Sequence, residues 1–309
     1  MANSPSYTIS VVIPTYNRPG YLRDCLESLT RSAFPHEDFQ VIVIDDGSPQ
    51  AVHSITKPFE SDLNIRCIRQ ENLGPASGRN RGVSESLSRY IAFIDDDCQA
   101  DPQWLRALVN SLDETPDMLI GGRTPNGISD NVYTLTSQVI LEVVYAFYNF
   151  DPDQPSFFAS NNIALSRDRF LEIGGFDTAF PLAAAEDREF CDRWRFSGRT
   201  LRYAPDAIVM HFHSMNLISF FRQQYNYGRG AYHYHLCRQK RKSGKLRHDI
   251  RMHAALPKLL RVPLSRLVFG VRMKVIFLLV IWQVANALGF FREALVGDRN
   301  KACDPHRPV

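Results

Sequence analysis

The sequence predicts an α/β fold, a mostly parallel twisted sheet flanked by helices, and three observations lead there. Apolar strand-like runs alternate with amphipathic helix-like runs over residues 8–112. The apolar runs, such as VVI (11–13) and VIVI (41–44), are continuous rather than alternating, as in strands buried on both faces. Three polar clusters, PTYN (14–17), DDGS (45–48) and DDD (95–97), close three of these strands. That edge is where parallel sheets bind their ligands.

Each element follows from its local pattern. TISVVIPTY (8–16) reads as a buried strand, and GYLRDCLESLTRS (20–32) as a helix with Leu22, Leu26 and Leu29 on one face. FQVIVIDDGS (39–48) is a second strand closing in a turn, and NIRCIRQ (64–70) a shorter, alternating third. ASGRNRGVSESLSR (76–89) is expected to be helical after a Gly-Pro break, with YIAFIDDD (90–97) as the fourth strand. DPQWLRALVNSL (101–112) starts a helix, with Asp101 as N-cap and Pro102 at the first helical position. Beyond Gly121 the pattern loosens. NNIALSR (161–167) suggests a short strand, GGFDTAF (174–180) a glycine-bearing loop, and AEDREFCDRWRFSG (185–198) a helix stopped by Gly198. TLRYAPDAIVMHFH (200–213) holds one or two short strands, and after Asn216 the chain turns helical, aromatic and basic. The expected division is an α/β domain over 1–215 and a helical, basic and hydrophobic extension over 216–309.

Composition narrows the partners. Hydrophobic residues at 44% and charged residues at 22% are ordinary for a globular chain. A net charge of +3 is too small to imply nucleic acid. The basic excess collects in CRQKRKSGKLRHDIRMH (237–253), a segment suited to phosphate or anionic lipid, or simply to solvent. Six cysteines without a CxxC pair argue against structural zinc and for a reducing, cytoplasmic setting. The N-terminus lacks the basic and apolar regions of a secretory signal. VIFLLVIWQVANALGFF (275–291) follows Arg261, Arg266, Arg272 and Lys274, and Gln283, Asn286 and Gly289 interrupt it. It predicts association with the inner face of the cell membrane rather than a full crossing.

The polar clusters carry the chemistry. In an extended chain Asp95 and Asp97 project to one side and Asp96 to the other, so the pair offers an oxygen site for Mg²⁺ or Mn²⁺; a solvated acidic turn is the alternative. Of Asp45 and Asp46, one is expected to cap its own turn and the other to accept bonds from a base or ribose. NLGPASGRNRGV (72–83) combines a helix start with arginines and suits a diphosphate. Glu186 and Asp187 open a helix after a run of alanines; the helix dipole explains acids there, and a general base is the sharper possibility. In VMHFH (209–213), His211 or His213 could complete a divalent site.

Taken together, VVIPTYNRPGYLRDCLESL, VIVIDDGS, NLGPASGRNRGV, YIAFIDDDC, GGFDTAF and AEDREFCDRW resemble the family 2 glycosyltransferases, which have the GT-A fold. The matches occur in the family's order over roughly residues 8–213. The resemblance implies inverting transfer of a sugar from a nucleotide-diphosphate donor, UDP-linked in expectation, with Mg²⁺ or Mn²⁺ as cofactor. It assigns Pro14, Thr15 and Asn17 to the nucleotide pocket, Asp46 (with Asp45) to the base, and Arg79 to the uridine or diphosphate. Asp95 and Asp97 match the DxD motif, and Asp96 is left a supporting contact to the ribose. Asp187 matches the catalytic base, with Glu186 beside it counted among the substrate-binding residues, and His211 the further metal ligand, ahead of His213. The QxxRW motif of processive members is replaced by FRQQYNYGRG (221–230), which predicts transfer of a single sugar. The expected acceptor is a glycan or a lipid-linked acceptor of envelope polysaccharide synthesis. A sugar-phosphate nucleotidylyltransferase would need a glycine-rich loop where PTYNRP stands. An inactive, membrane-bound binding module would not need every one of these acids.

Overall fold

The computed structural model describes residues 7–180 and 184–296, without the side chains of 247–249. Eight strands form one sheet: β1 (Tyr7–Thr15), β2 (Phe39–Asp45), β3 (Ile65–Arg69), β4 (Ser88–Ile94), β5 (Cys98–Ala100), β6 (Leu119–Arg123), β7 (Asn162–Ser166) and β8 (Leu201–His211). Their order is β3-β2-β1-β4-β7-β6-β8-β5. The first four in that order are parallel. β7 runs antiparallel to both β4 and β6, and β8 parallel to β6, so β8 ends at the same edge as β1, β2 and β4.

The helices are α1 (Pro19–Thr30), α2 (His53–Thr56), α3 (Pro75–Ser84), α4 (Trp104–Glu114), α5 (Val132–Tyr148), α6 (Arg167–Glu172), α7 (Glu186–Phe196), α8 (Leu217–Arg241), α9 (Leu246–Leu259), α10 (Arg261–Ser265) and α11 (Phe269–Val296). Strand periodicity sorts them into layers. Ile9, Val11 and Ile13 of β1 face Leu22, Leu26, Trp104 and Leu108 of α1 and α4. Val12 joins Phe93, Phe170, Phe176, Phe190 and Trp194 on the opposite face. Gly82 lets α3 lie against β1, since a Cβ there would stand 2.3 Å from Val12 Cγ1.

Buried polar groups fix the sheet from within. The Ser10 hydroxyl lies 2.6 Å from those of both Ser86 and Ser88, and Gln40 Nε2 donates to it. This network draws residues 86–88 onto β1, so the helix expected over 76–89 stops at Ser84. On the other half, Asn162 accepts from Trp104 Nε1 and donates to the carbonyls of Arg123 and Ala207, where the β6–β8 register shifts.

Other expectations also change. The fourth strand ends at Ile94, and the Cys98 N–H bonds to the Asp95 carbonyl, so the aspartate triplet is a turn rather than extended chain. The one or two strands expected over 200–213 are the single strand β8. The C-terminal apolar run belongs to α11, a 28-residue helix long and apolar enough to cross a membrane by length and composition alone. Val275, Leu278, Leu279 and Trp282 of α11 pack with Phe220 of α8 and Val139 of α5.

Candidate active site

Three strand ends, two helix starts and the end of β8 converge on one edge of the sheet. Asp45, at the end of β2, forms the turn: its carboxylate accepts from the Ser48 N–H and from Arg69. Asp46 reaches the next segment instead. It accepts from Gln70 Nε2 (2.7 Å) and from the N–H groups of Leu73 and Gly74 (3.0 and 2.9 Å), ahead of α3. Both carboxylates are buried, so they shape this end of the site from below. Pro14 and Thr15 are buried at the end of β1. Asn17 is exposed, holds a left-handed φ of 54°, and donates its N–H to Ser48 Oγ.

The aspartates of the triplet go to separate partners. Asp95 accepts a 2.7 Å bond from Arg79. Asp96 accepts from the Thr15 hydroxyl at 2.7 Å and from Arg18 at 3.1 Å. Asp97 lies 2.9 Å from Arg18, 3.3 Å from His211 Nε2 and 3.2 Å from His213 Nδ1. The imidazoles stack with centroids 5.5 Å apart, and ligand atoms of Asp97, His211 and His213 all lie within 4.8 Å of one another. One carboxylate oxygen and two ring nitrogens are a donor set that fits a divalent transition metal. Pairing of Cys98 with His211, and the bond from the Phe212 N–H to the Asp97 carbonyl, hold this cluster from the backbone.

Charge separates the neighbours. Burial would raise the Asp97 carboxyl, but the two imidazoles and Arg18 outweigh it and hold it well below the usual range. Burial pushes Asp96 up to about 7 against the pull of Arg18. His211 is raised: burial lowers it, and Asp97 more than compensates.

Arg79 ties the first aspartate of the triplet to the second pair of acids. Its guanidinium, 3% exposed, bridges Asp95 and Glu186, the latter at 3.2 Å. Burial disfavours its charge, and those carboxylates more than restore it. Glu186 is buried and locked to Arg79, while Asp187 is partly open and accepts from the Arg188 N–H. Burial raises both carboxyls, Glu186 to about 7 with help from the Asp187 charge. Ala185 enters the helix with a left-handed φ of 69°, a strained setting for a side chain with a Cβ and one that recurs at functional sites. Ala183, of the preceding alanine run, lies outside the described residues.

The sequence did not single out Arg18, which here joins Asp96 and Asp97; its signal was a cation in PTYNRP, at the strand end facing DDD. Tyr227 of α8 was also missed. Gly230, one turn on, lies so close to the Ala184 carbonyl that a Cβ would stand 2.2 Å from it. The Tyr227 ring is 40% exposed, yet desolvation of its hydroxyl, with the charges of Asp187, Glu186 and Asp95, raises that hydroxyl above its ordinary value. α8 thus walls the acidic cleft.

Comparison with known proteins agrees with this geometry. The family model described as Glycosyl transferase family 2 matches residues 10–174. Glycosyltransferase AglE of Haloferax volcanii is 27% identical over 66% of this chain and 66% of its own length. Chondroitin synthase of Escherichia coli is 29% identical over 66% of this chain but 34% of its own length. The match thus spans about two thirds of the first relative and a third of the second. Among solved structures, the mannosyltransferase PcManGT from Pyrobaculum calidifontis, in complex with GDP-Man and Mn²⁺, superposes with a TM-score of 0.64. It is 15% identical, covering 95% of this chain and 88% of that one. S. aureus TarS 1-349 in complex with UDP-GlcNAc follows at a TM-score of 0.53 and 15% identity, covering 93% and 92%. These likenesses establish a GT-A fold with a helical C-terminal extension, and the chain belongs to glycosyl transferase family 2.

Proposed function

We propose that the protein is an inverting, metal-dependent glycosyltransferase that moves one sugar from a nucleotide-diphosphate donor to an acceptor hydroxyl. The carrying observation is that Arg79 pairs with Asp95, two residues before Asp97 of the Asp97–His211–His213 cluster, and with Glu186 at the start of α7. Roles follow from environment. Asp187, partly open and raised by burial, takes the proton of the attacking hydroxyl. Glu186 holds Arg79, which in turn holds Asp95 beside the diphosphate. Attack from the side of Asp187, opposite the diphosphate, forms the new glycosidic bond as the bond from the anomeric carbon to the phosphate oxygen breaks, releasing the nucleoside diphosphate and inverting that carbon.

Asp97, His211 and His213 would hold the cation, and Asp95 would stay with Arg79. Two imidazoles favour Mn²⁺ over Mg²⁺, which prefers oxygen ligands. When bound, the cation supplies positive charge to the diphosphate leaving group. Asp46 orders the 73–74 backbone, and Pro14, Thr15 and Asn17 border the base and ribose. Asp96 positions Thr15 and Arg18 rather than reaching the ribose itself. UDP as the nucleotide, an envelope glycan or lipid-linked acceptor, and a cytoplasmic enzyme held at the inner face of the membrane complete the proposal. So does a division near residue 215, with the α/β part acting on the donor and the helical part placing the acceptor.

A thermal-shift screen of nucleotide sugars with Mn²⁺, followed by transfer assays with the stabilising donor, tests the proposal. Stabilisation by one nucleotide sugar, lost on chelation, is expected. Stabilisation by nucleoside triphosphate and sugar phosphate alone would overturn it in favour of nucleotidyl transfer.

A further inference from the structure

Helix α11 is apolar on both sides, although among the described residues only one side has protein against it. Val275, Leu278, Trp282 and Ala285 are buried, whereas Met273, Phe277, Val280, Val284, Leu288 and Phe291 are exposed. These six recur at intervals of three and four residues, so they form one stripe along a helix about 42 Å long at 1.5 Å per residue. The inner side is pinned to α8. A Cβ at Gly228 would stand 2.0 Å from the Asn286 carbonyl oxygen, and one at Gly289 1.9 Å from that of Tyr225. Glu293 completes the lock, 2.7 Å from Arg229 and 3.1 Å from His233.

A groove of about 470 Å³ opens between α9–α10 and α11, walled by Leu256, Leu260, Leu264, Ile276, Val280 and Trp282. Ile276 and Val280 belong also to the exposed side of α11, so groove and stripe are continuous. Charge around this face is one-sided. Residues 245–296 carry nine lysines and arginines against Asp249 and Glu293. Arg251, Lys258, Arg261, Arg266 and Lys274 are exposed, and Arg261 lines the groove.

We propose that the α9–α11 face docks on an anionic phospholipid bilayer, with α11 lying in the plane of the interface. The outer stripe enters the acyl region, the basic side chains meet the headgroup phosphates, and the groove receives an acyl chain. Lying flat follows from the pinned inner side, since a crossing helix would have to leave α8 and unpair Glu293. The inference rests on the membrane-contact part of the proposed function and not on the transfer chemistry.

Flotation of the full chain with phosphatidylglycerol–phosphatidylcholine vesicles, against phosphatidylcholine alone, tests it. Binding at least about tenfold tighter to the anionic vesicles, and weakening with salt, is expected. Phe277→Glu with Phe291→Glu should lose at least about tenfold in vesicle affinity, with the lipid-free thermal melt serving as the folding control. Arg261→Glu with Lys274→Glu keeps the test open if the first variant misfolds, and should remove the preference for anionic lipid. Equal flotation of wild type and folded variants would overturn the proposal. So would a wild-type dimer in light scattering that the stripe variant abolishes, because the stripe would then face a second copy. Protein in cell membranes that resists alkaline carbonate in both wild type and stripe variant would show α11 crossing instead. A failed donor screen would leave all these results standing.

Discussion

Two acidic clusters share one cleft, and their surroundings assign them different work. Asp97 stands among Arg18, His211 and His213, and these hold it ionised well below the usual carboxylate range. Glu186 and Asp187 share one buried arginine, and burial raises both. A carboxylate held ionised offers its oxygen to a metal; one raised by burial is poised to exchange a proton. Arg79 reaches Asp95, two residues from Asp97, and Glu186 of the second pair.

The largest effect should come from the proton side. Asp187→Asn is expected to lower turnover by about 10²- to 10⁴-fold while nucleotide-sugar binding with Mn²⁺ persists, read by transfer assay and calorimetry. If binding fell equally, the two clusters would not be separable. Asp97→Ala addresses the metal side. It should weaken Mn²⁺-dependent nucleoside diphosphate binding by more than about 100-fold, because loss of an outer-shell partner alone costs 10–100-fold. An unchanged Mn²⁺ titration would leave the Asp97 cluster without its assigned role.

Two smaller effects sharpen the contrast. Asp46→Ala strips the Leu73 and Gly74 N–H groups of their acceptor and should cost about 1–3 kcal/mol of stability, measured by denaturant unfolding. Arg18 contacts Asp97 directly and repels any cation placed there. Arg18→Ala should therefore tighten Mn²⁺ binding without nucleotide by about tenfold, as seen in electron paramagnetic resonance titrations. Weaker binding would instead make Arg18 a partner of the cation's complex rather than its competitor.

How far the sequence revealed this arrangement depended on locality. β1, β2 and β4 were visible because a buried parallel strand needs an unbroken apolar run. β6, LIGGR, is short and glycine-bearing, and α5, VYTLTSQVILEVVYAFY, is rich in β-branched and aromatic residues, so neither matched a single period. The site's residue types were legible and their pairings were not. Alternation along DDD held only while the strand continued, and it stops at Ile94. His213 reached Asp97 through the antiparallel pairing of β5 with β8, a contact 116 residues apart in sequence. Arg18 was remote too, 79 residues from Asp97.

The pH dependence of turnover in the wild type and in Glu186→Gln tests the division of labour most directly. Asp187 must be ionised to accept a proton, and burial raises it; Glu186 at about 7 faces Arg79, Asp95 and Asp187, with Arg188 and Tyr227 completing the surroundings. Turnover in the wild type is therefore expected to rise with pH through a limb above the ordinary carboxylate value. Glu186 is raised to about 7 with help from the Asp187 charge, so it is still protonated as Asp187 ionises; Glu186→Gln keeps a neutral neighbour there and should leave the limb in place. A wild-type limb at the ordinary carboxylate value, or one that Glu186→Gln abolishes, would contradict the account.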